Sequence, residues 1–131
     1  RRSSETEGGM GERDLRVLLR TMEPVLHPEP YGFAVREGAL PSGTFATVAE
    51  AEGMTVVAPL AALGGGEPWA RISLKVHSDL AAVGLTAAFA AALAAEGISC
   101  NVIAGVHHDH LFVQWDRRMD AMTALRKLSD A

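Results

Sequence analysis

Trp69-Ala70-Arg71-Ile72-Ser73-Leu74-Lys75-Val76 is the stretch that decides the fold. Ile72, Leu74 and Val76 fall on one side and Arg71, Ser73 and Lys75 on the other, the period-two pattern of a strand with one wet face. Downstream, Leu85, Phe89 and Leu93 recur at i, i+4 and i+8 in an alanine-rich run. That spacing predicts a helix, with Ser78 or Asp79 as its N-cap and Gly97 as its stop. Ile98 to Ala104 reads as a largely apolar strand, Gly105 as a turn and His108 to Trp115 as a second strand. Within Arg117 to Ser129, the positions of Met119, Met122, Leu125 and Leu128 predict a closing helix. The order β-α-β-β-α lacks only the last strand of the ferredoxin-like βαββαβ unit, and the first half of the chain is the natural donor.

Working outward, Gly64-Gly65-Gly66-Glu67-Pro68 is the clearest linker and sets a boundary between residues 10–66 and 67–131. In the first half, Leu15, Leu18, Leu19 and Met22 mark an amphipathic helix over Glu12 to Met22 that Pro24 stops. The turn His27-Pro28-Glu29-Pro30 leads into a strand over Tyr31 to Val35, and Gly38 to Gly43 form a loop. Phe45 to Glu52 carries conflicting propensities and is read as a short helix or turn. Met54 to Ala58 is a β-rich run between Gly53 and Pro59. Residues 1–9 are polar and read as a disordered tail or an appended remnant, with Met10 as the natural start.

Composition narrows the function. The 131 residues are 48% hydrophobic, enough for one core, and the net charge of -4 with no basic cluster argues against a nucleic-acid partner. The longest apolar run, Leu80 to Ala95, is shorter than the roughly 20 residues of a bilayer span, so no membrane partner is expected. Cys100 stands alone in an apolar run, which fits a small buried side chain in a reducing cytoplasm.

Several strings then carry a family resemblance: Lys75-Val76-His77-Ser78-Asp79-Leu80, Val83-Gly84-Leu85, Gly97-Ile98-Ser99-Cys100-Asn101-Val102 and His108-Asp109-His110-Leu111-Phe112-Val113. Together they resemble a group of short bacterial ACT-domain proteins, related to the ACT modules of aspartate kinases and of arginine sensors. In the first half, Tyr31 to Val35 and Glu50 to Val56 resemble that group's amino-terminal part. The resemblance implies an α+β fold: two ACT-like halves of ferredoxin-like βαββαβ type, with an antiparallel sheet and helices on one face. It also implies a regulatory protein that binds a small molecule, an amino acid, near the turn from first strand to first helix. Carried onto this chain, that seat comprises His77, Ser78, Asp79, Leu80, Val83, Gly84 and Leu85, with Asn101 on the neighbouring strand.

Local chemistry allows this reading beside plainer ones. A helix entrance with free N–H groups suits a carboxylate, Asp79 suits an ammonium group, and Gly84 allows close approach. The same residues equally serve as a helix cap and a relief of crowding. In His107-His108-Asp109-His110, strand geometry sends His108 and His110 to one face and His107 and Asp109 to the other. A His-x-His pair supplies two metal ligands and a site needs three or four, so His27 or His77 would have to join them. The plainer expectation is one histidine packed and hydrogen-bonded to Asp109 or backbone, the others in solvent. Neither Ser78 with His77 nor Ser99 with Cys100 has a nucleophile setting, so no enzyme and no cofactor is expected. Trp69 and Trp115 are expected to pack in a core or interface, and an uncovered sheet edge predicts a homodimer. The alternatives are a structural or protein-interaction module, and a metal-dependent enzyme or sensor using His107 to His110.

Overall fold

The computed structural model describes residues 15–76 and 84–130. Residues 15–20 are helical (α1). Then follow β1 (Val25–Leu26), β2 (Tyr31–Arg36), β3 (Ala46–Glu50), β4 (Gly53–Pro59), α2 (Leu60–Leu63), β5 (Trp69–Lys75), α3 (Leu85–Ala95), β6 (Asn101–Ala104), β7 (His108–Gln114) and α4 (Arg118–Asp130). The seven strands form one antiparallel sheet in the order β3-β4-β2-β5-β7-β6, with β1 also on β5.

The missing strand of the second half comes from the first. Val25 and Leu26 pair with Ser73 and Ile72 on the free edge of β5, and the His27 N–H donates to Arg71 O at 2.9 Å. The chain then passes Pro28 and Pro30, and β2 touches β5 at a single pair, Tyr31 with Trp69, before pairing along β4. One chain segment thus pairs first with β5 of the second half and then with β4 of the first, which joins the halves in a single sheet. Leu15, Leu18, Leu19 and Met22 also pack on the core of the second half. That core lies between the sheet and α3 with α4, around Ile72, Leu74, Phe89, Leu93, Leu111, Val113 and Leu125.

Three local expectations change. Phe45 to Glu52 holds β3 rather than a helix or turn, because Ala46 to Glu50 pair residue by residue with β4 through a tight turn at Ala51-Glu52. Cross-strand pairing overrides the helical preference of Ala and Glu. Ile98 to Cys100 stay outside β6: the Ile98 N–H closes the end of α3 on Leu93 O at 3.0 Å, and the Ser99 N–H goes to the Gln114 side chain at 2.9 Å. Finally, α3 begins at Leu85 with Gly84 at its N-cap, φ 108°, instead of being capped by Ser78 or Asp79, which lie outside the described residues. A backbone at that φ favours glycine over any residue with a side chain. Residues 1–9, expected to be a tail or remnant, also lie outside the described set.

Candidate functional site

Because α3 and α4 cover one face of the second half, the other is open to function. Register places Trp69, Arg71, Ser73 and Lys75 of β5 opposite Gln114, Phe112, His110 and His108 of β7, with Asn101 and Ile103 of β6 beside Phe112 and His110. The middle of this face is covered by an aromatic cluster. Phe112 is fully buried, with ring centroids of Tyr31, Phe33 and Phe45 at 5.9, 5.3 and 5.9 Å. A cavity lies toward each end of β5.

The cavity at the Trp69 end has a volume of about 300 Å3 and draws its walls from both halves. Phe33, Leu60, Leu63 and Trp69 supply apolar surface, and Glu67 and Asn101 supply a carboxylate and an amide. Phe33 and Trp69 meet edge to face at 6.0 Å, which fixes one wall. Gly32 allows α2 to close the other: a Cβ there would stand 2.8 Å from Leu63 Cδ1 and 2.9 Å from Leu60 Cδ1. Such a mixture of apolar wall, anion and amide suits a zwitterion with an apolar side chain.

The cavity at the Lys75 end, about 310 Å3, has mostly apolar exposed walls but gathers Arg71, Ser73, His27, His108 and His110, with Glu23 and Lys75 also on its lining. Ser73 Oγ lies 2.9 Å from His27 Nε2 and 3.1 Å from His110 Nδ1. Arg71 donates from Nη1 to the Tyr31 hydroxyl at 3.0 Å and approaches His110 Nδ1 through Nη2 at 3.5 Å, while its guanidinium carbon stacks 3.9 Å from the Phe45 ring centre. At the rim Lys75 pairs with Glu23 at 2.9 Å. Burial, then the Arg71 charge, lowers the His27 pKa against a smaller opposing pull from Glu29. Burial, then Arg71, His108 and His27, takes His110 down to about 4.

These shifts have a stability consequence. Between the ordinary histidine value of 6.5 and about 4, the unfolded chain binds a proton at His110 that the folded chain refuses, and the lowered pKa of His27 acts in the same direction. Their contribution is therefore complete above pH 6.5 and lost as pH falls through that window. Asp109, whose pKa burial raises, works in the opposite direction. The wild type is accordingly expected to lose more thermal stability than His110→Gln between pH 7.5 and 4.5. Parallel curves for the two proteins would contradict the placement of His110.

The residues expected to hold a ligand are not gathered into one described pocket. His77, Ser78, Asp79, Leu80 and Val83 lie outside the described residues. Gly84 is backed by Leu15, whose methyl carbons stand 3.5 and 3.6 Å from the position of a Cβ, and the Leu85 side chain is buried in the core. Asn101 lies level with Arg71 on the open face, five strand residues or roughly 17 Å along from Val76. Of the histidines, His108 and His110 do share a face, their rings 5.9 Å apart, and Asp109 is buried on the other. The packed histidine is His110, bonded to Ser73 and Arg71 rather than to Asp109 or backbone. His27 reaches the same cavity, but no group of three or more His, Cys, Asp or Glu among the described residues has a metal-binding arrangement. Cys100 is half-buried, and burial raises its thiol to about 11, away from nucleophilic use. Trp69 walls the first cavity, and Trp115 packs on the core beneath Arg118, 3.9 Å from its ring. Sequence reasoning passed over Arg71, Ser73 and Glu67; the one signal for the first two was their place on the wet side of β5.

Among the described residues, no helix is long and apolar enough to cross a membrane. Models of the ACT domain match residues 10–62 and 66–127. No curated protein sequence matches. Among solved structures, a Vibrio cholerae protein of unknown function, titled a possible transport protein, is 40% identical with a TM-score of 0.77, over 91% of this chain and 98% of that one. An Agrobacterium tumefaciens protein is similar at 18% identity and TM-score 0.62, over 77% and 84% of the two chains. The ligand-free regulatory subunit of aspartate kinase from Thermus thermophilus shares the fold at 11% identity and TM-score 0.60, over 82% and 97%. With both halves matched and a relative of this identity aligned almost end to end, the chain belongs to the ACT-domain family.

Proposed function

We propose that this chain is a non-catalytic regulatory module that binds an amino acid in the cavity between its two halves. The observation that carries the reading is the pairing of Glu67 and Asn101 with the apolar walls Phe33, Leu60, Leu63 and Trp69. Glu67 takes the ammonium group, the Asn101 amide takes the carboxylate, and the walls take an apolar side chain. Asn101 is retained from the seat expected by family resemblance. Because both halves contribute walls, an occupant would bear on how they sit together, which is the physical requirement for a regulatory output. A homodimer formed over an uncovered sheet edge, in a reducing cytoplasm, completes the reading.

One observation favours a catalytic alternative, namely the Ser73 hydroxyl lying between two histidines. The electrostatics argue against it. A histidine at about 4 is a weak general base at neutral pH, and Arg71 beside it disfavours the imidazolium that catalysis would form. The neighbours of His110 are a serine and an arginine rather than an orienting carboxylate.

The test is a thermal-shift screen of the standard amino acids. At a hundredfold excess over Kd, a native-state ligand adds about 2.7 kcal/mol of stability. At least one apolar amino acid is expected to raise Tm at millimolar concentration, and Glu67→Gln, at an exposed position, to abolish the rise without changing the unliganded Tm. No stabilisation by any amino acid would remove the proposal.

A further inference from the structure

The cavity at the Lys75 end has no role in the amino-acid reading, yet it is the most unusual electrostatic feature of the described residues. Arg71 is half-buried, with its guanidinium stacked on Phe45, and its Nε is buried without a hydrogen-bond partner. Among the described residues its partners are a phenol, an imidazole and aromatic faces, and no carboxylate pairs with it. A partly desolvated cation in that position is costly unless an anion accompanies it. Around it converge the Ser73 hydroxyl and the rings of His27, His108 and His110. Among the described residues the only acid lining the cavity, Glu23, is paired with Lys75.

We infer that this cavity is a second, separate ligand site, which takes a small metabolite through an oxyanion, a carboxylate or phosphate group, held by Arg71, Ser73 and the three histidines. Guanidinium N–H groups and the serine hydroxyl donate to the oxyanion. His110 and His27 become donors on both ring nitrogens when protonated, and a bound anion favours that form. Binding therefore takes up protons and tightens as pH falls from 7 toward 5, opposite in sign to the effect of pH on the empty fold. Among the described residues, the charged and titratable groups facing His110 are Arg71, His27 and His108, with Lys75 and Glu23 at the rim and Glu29 acting on His27. The volume of about 310 Å3 admits a molecule larger than a bare ion.

The experiment is a thermal-shift and calorimetric titration of the full chain with inorganic phosphate, succinate and citrate, against sodium chloride at matched ionic strength. At least one oxyanion is expected to raise Tm by about 3 °C or more beyond the chloride control, which for a domain of this size reflects a real binding free energy. Binding should be tenfold or more weaker in Arg71→Gln and stronger at pH 5.5 than at pH 7.5. Stabilisation by phosphate alone assigns a phosphate ester, and stabilisation by succinate or citrate alone assigns a carboxylic acid. Should Arg71→Gln fail to fold for loss of its stacking on Phe45, Ser73→Ala decides, with weaker binding expected. No oxyanion effect beyond chloride, or undiminished binding in the folded variants, overturns the inference. Glu67→Gln should leave oxyanion binding intact, so failure of the amino-acid reading and failure of this one are told apart.

Discussion

Replacing Phe112 by alanine is expected to destabilise the protein by about 3–5 kcal/mol, read as a large drop in the urea midpoint. The ring is fully buried and is the hub of the aromatic cluster, with Tyr31, Phe33 and Phe45 packed around it. Truncation leaves a cavity that three rings on the first half cannot collapse into, because β2 and the chain leading into β3 hold them. The effect reaches function as well as stability, since Phe33 walls one cavity and Phe45 supports Arg71 in the other. Phe112→Leu should cost less than half as much. A loss under about 1 kcal/mol for the alanine variant would show that the halves are not joined through this cluster.

Phe89→Ala should be about as damaging, again about 3–5 kcal/mol. Along α3 only Leu85, Phe89 and Leu93 are buried, and most of the remaining residues are alanine. Eleven residues form a marginal helix alone, even with good propensity, so docking of those three side chains holds it. Phe89 is the largest of them and is fully buried. Against a total stability of about 5–15 kcal/mol, its removal should leave a measurable unfolded population and lower the helical circular dichroism signal. An unchanged urea midpoint would contradict the packing of α3.

Legibility followed the strength of each local pattern. Trp69 to Lys75 alternates cleanly, and its strand stands as read, as do the helical spacing of Leu85, Phe89 and Leu93 and the β-α-β-β-α order. The donor of the missing strand was legible only in outline. Val25-Leu26 is two residues long, too short to leave a periodic signal, and its partners are more than 40 positions away. Phe45 to Glu52 misled because alanine and glutamate favour helix locally, whereas pairing with β4 is non-local. The site was harder. Asn101 is on a cavity wall, but the other wall, Phe33 with Leu60 and Leu63, comes from the far side of the linker. Arg71 and Ser73 looked like the solvated side of a strand until His27 and the Phe45 ring folded over that side, an encounter that no sequence spacing encodes.

The most direct measurement is a titration of isotope-labelled protein with each standard amino acid, followed by amide chemical shifts. The account predicts saturable shifts for at least one apolar amino acid, centred on Gly66, Glu67, Trp69 and Asn101 and absent in Glu67→Gln. Amides around these residues that stay still with every amino acid at 10-fold molar excess and beyond, up to about 10 mM, would contradict it, since about 1 mM Kd already corresponds to only 4.1 kcal/mol of binding.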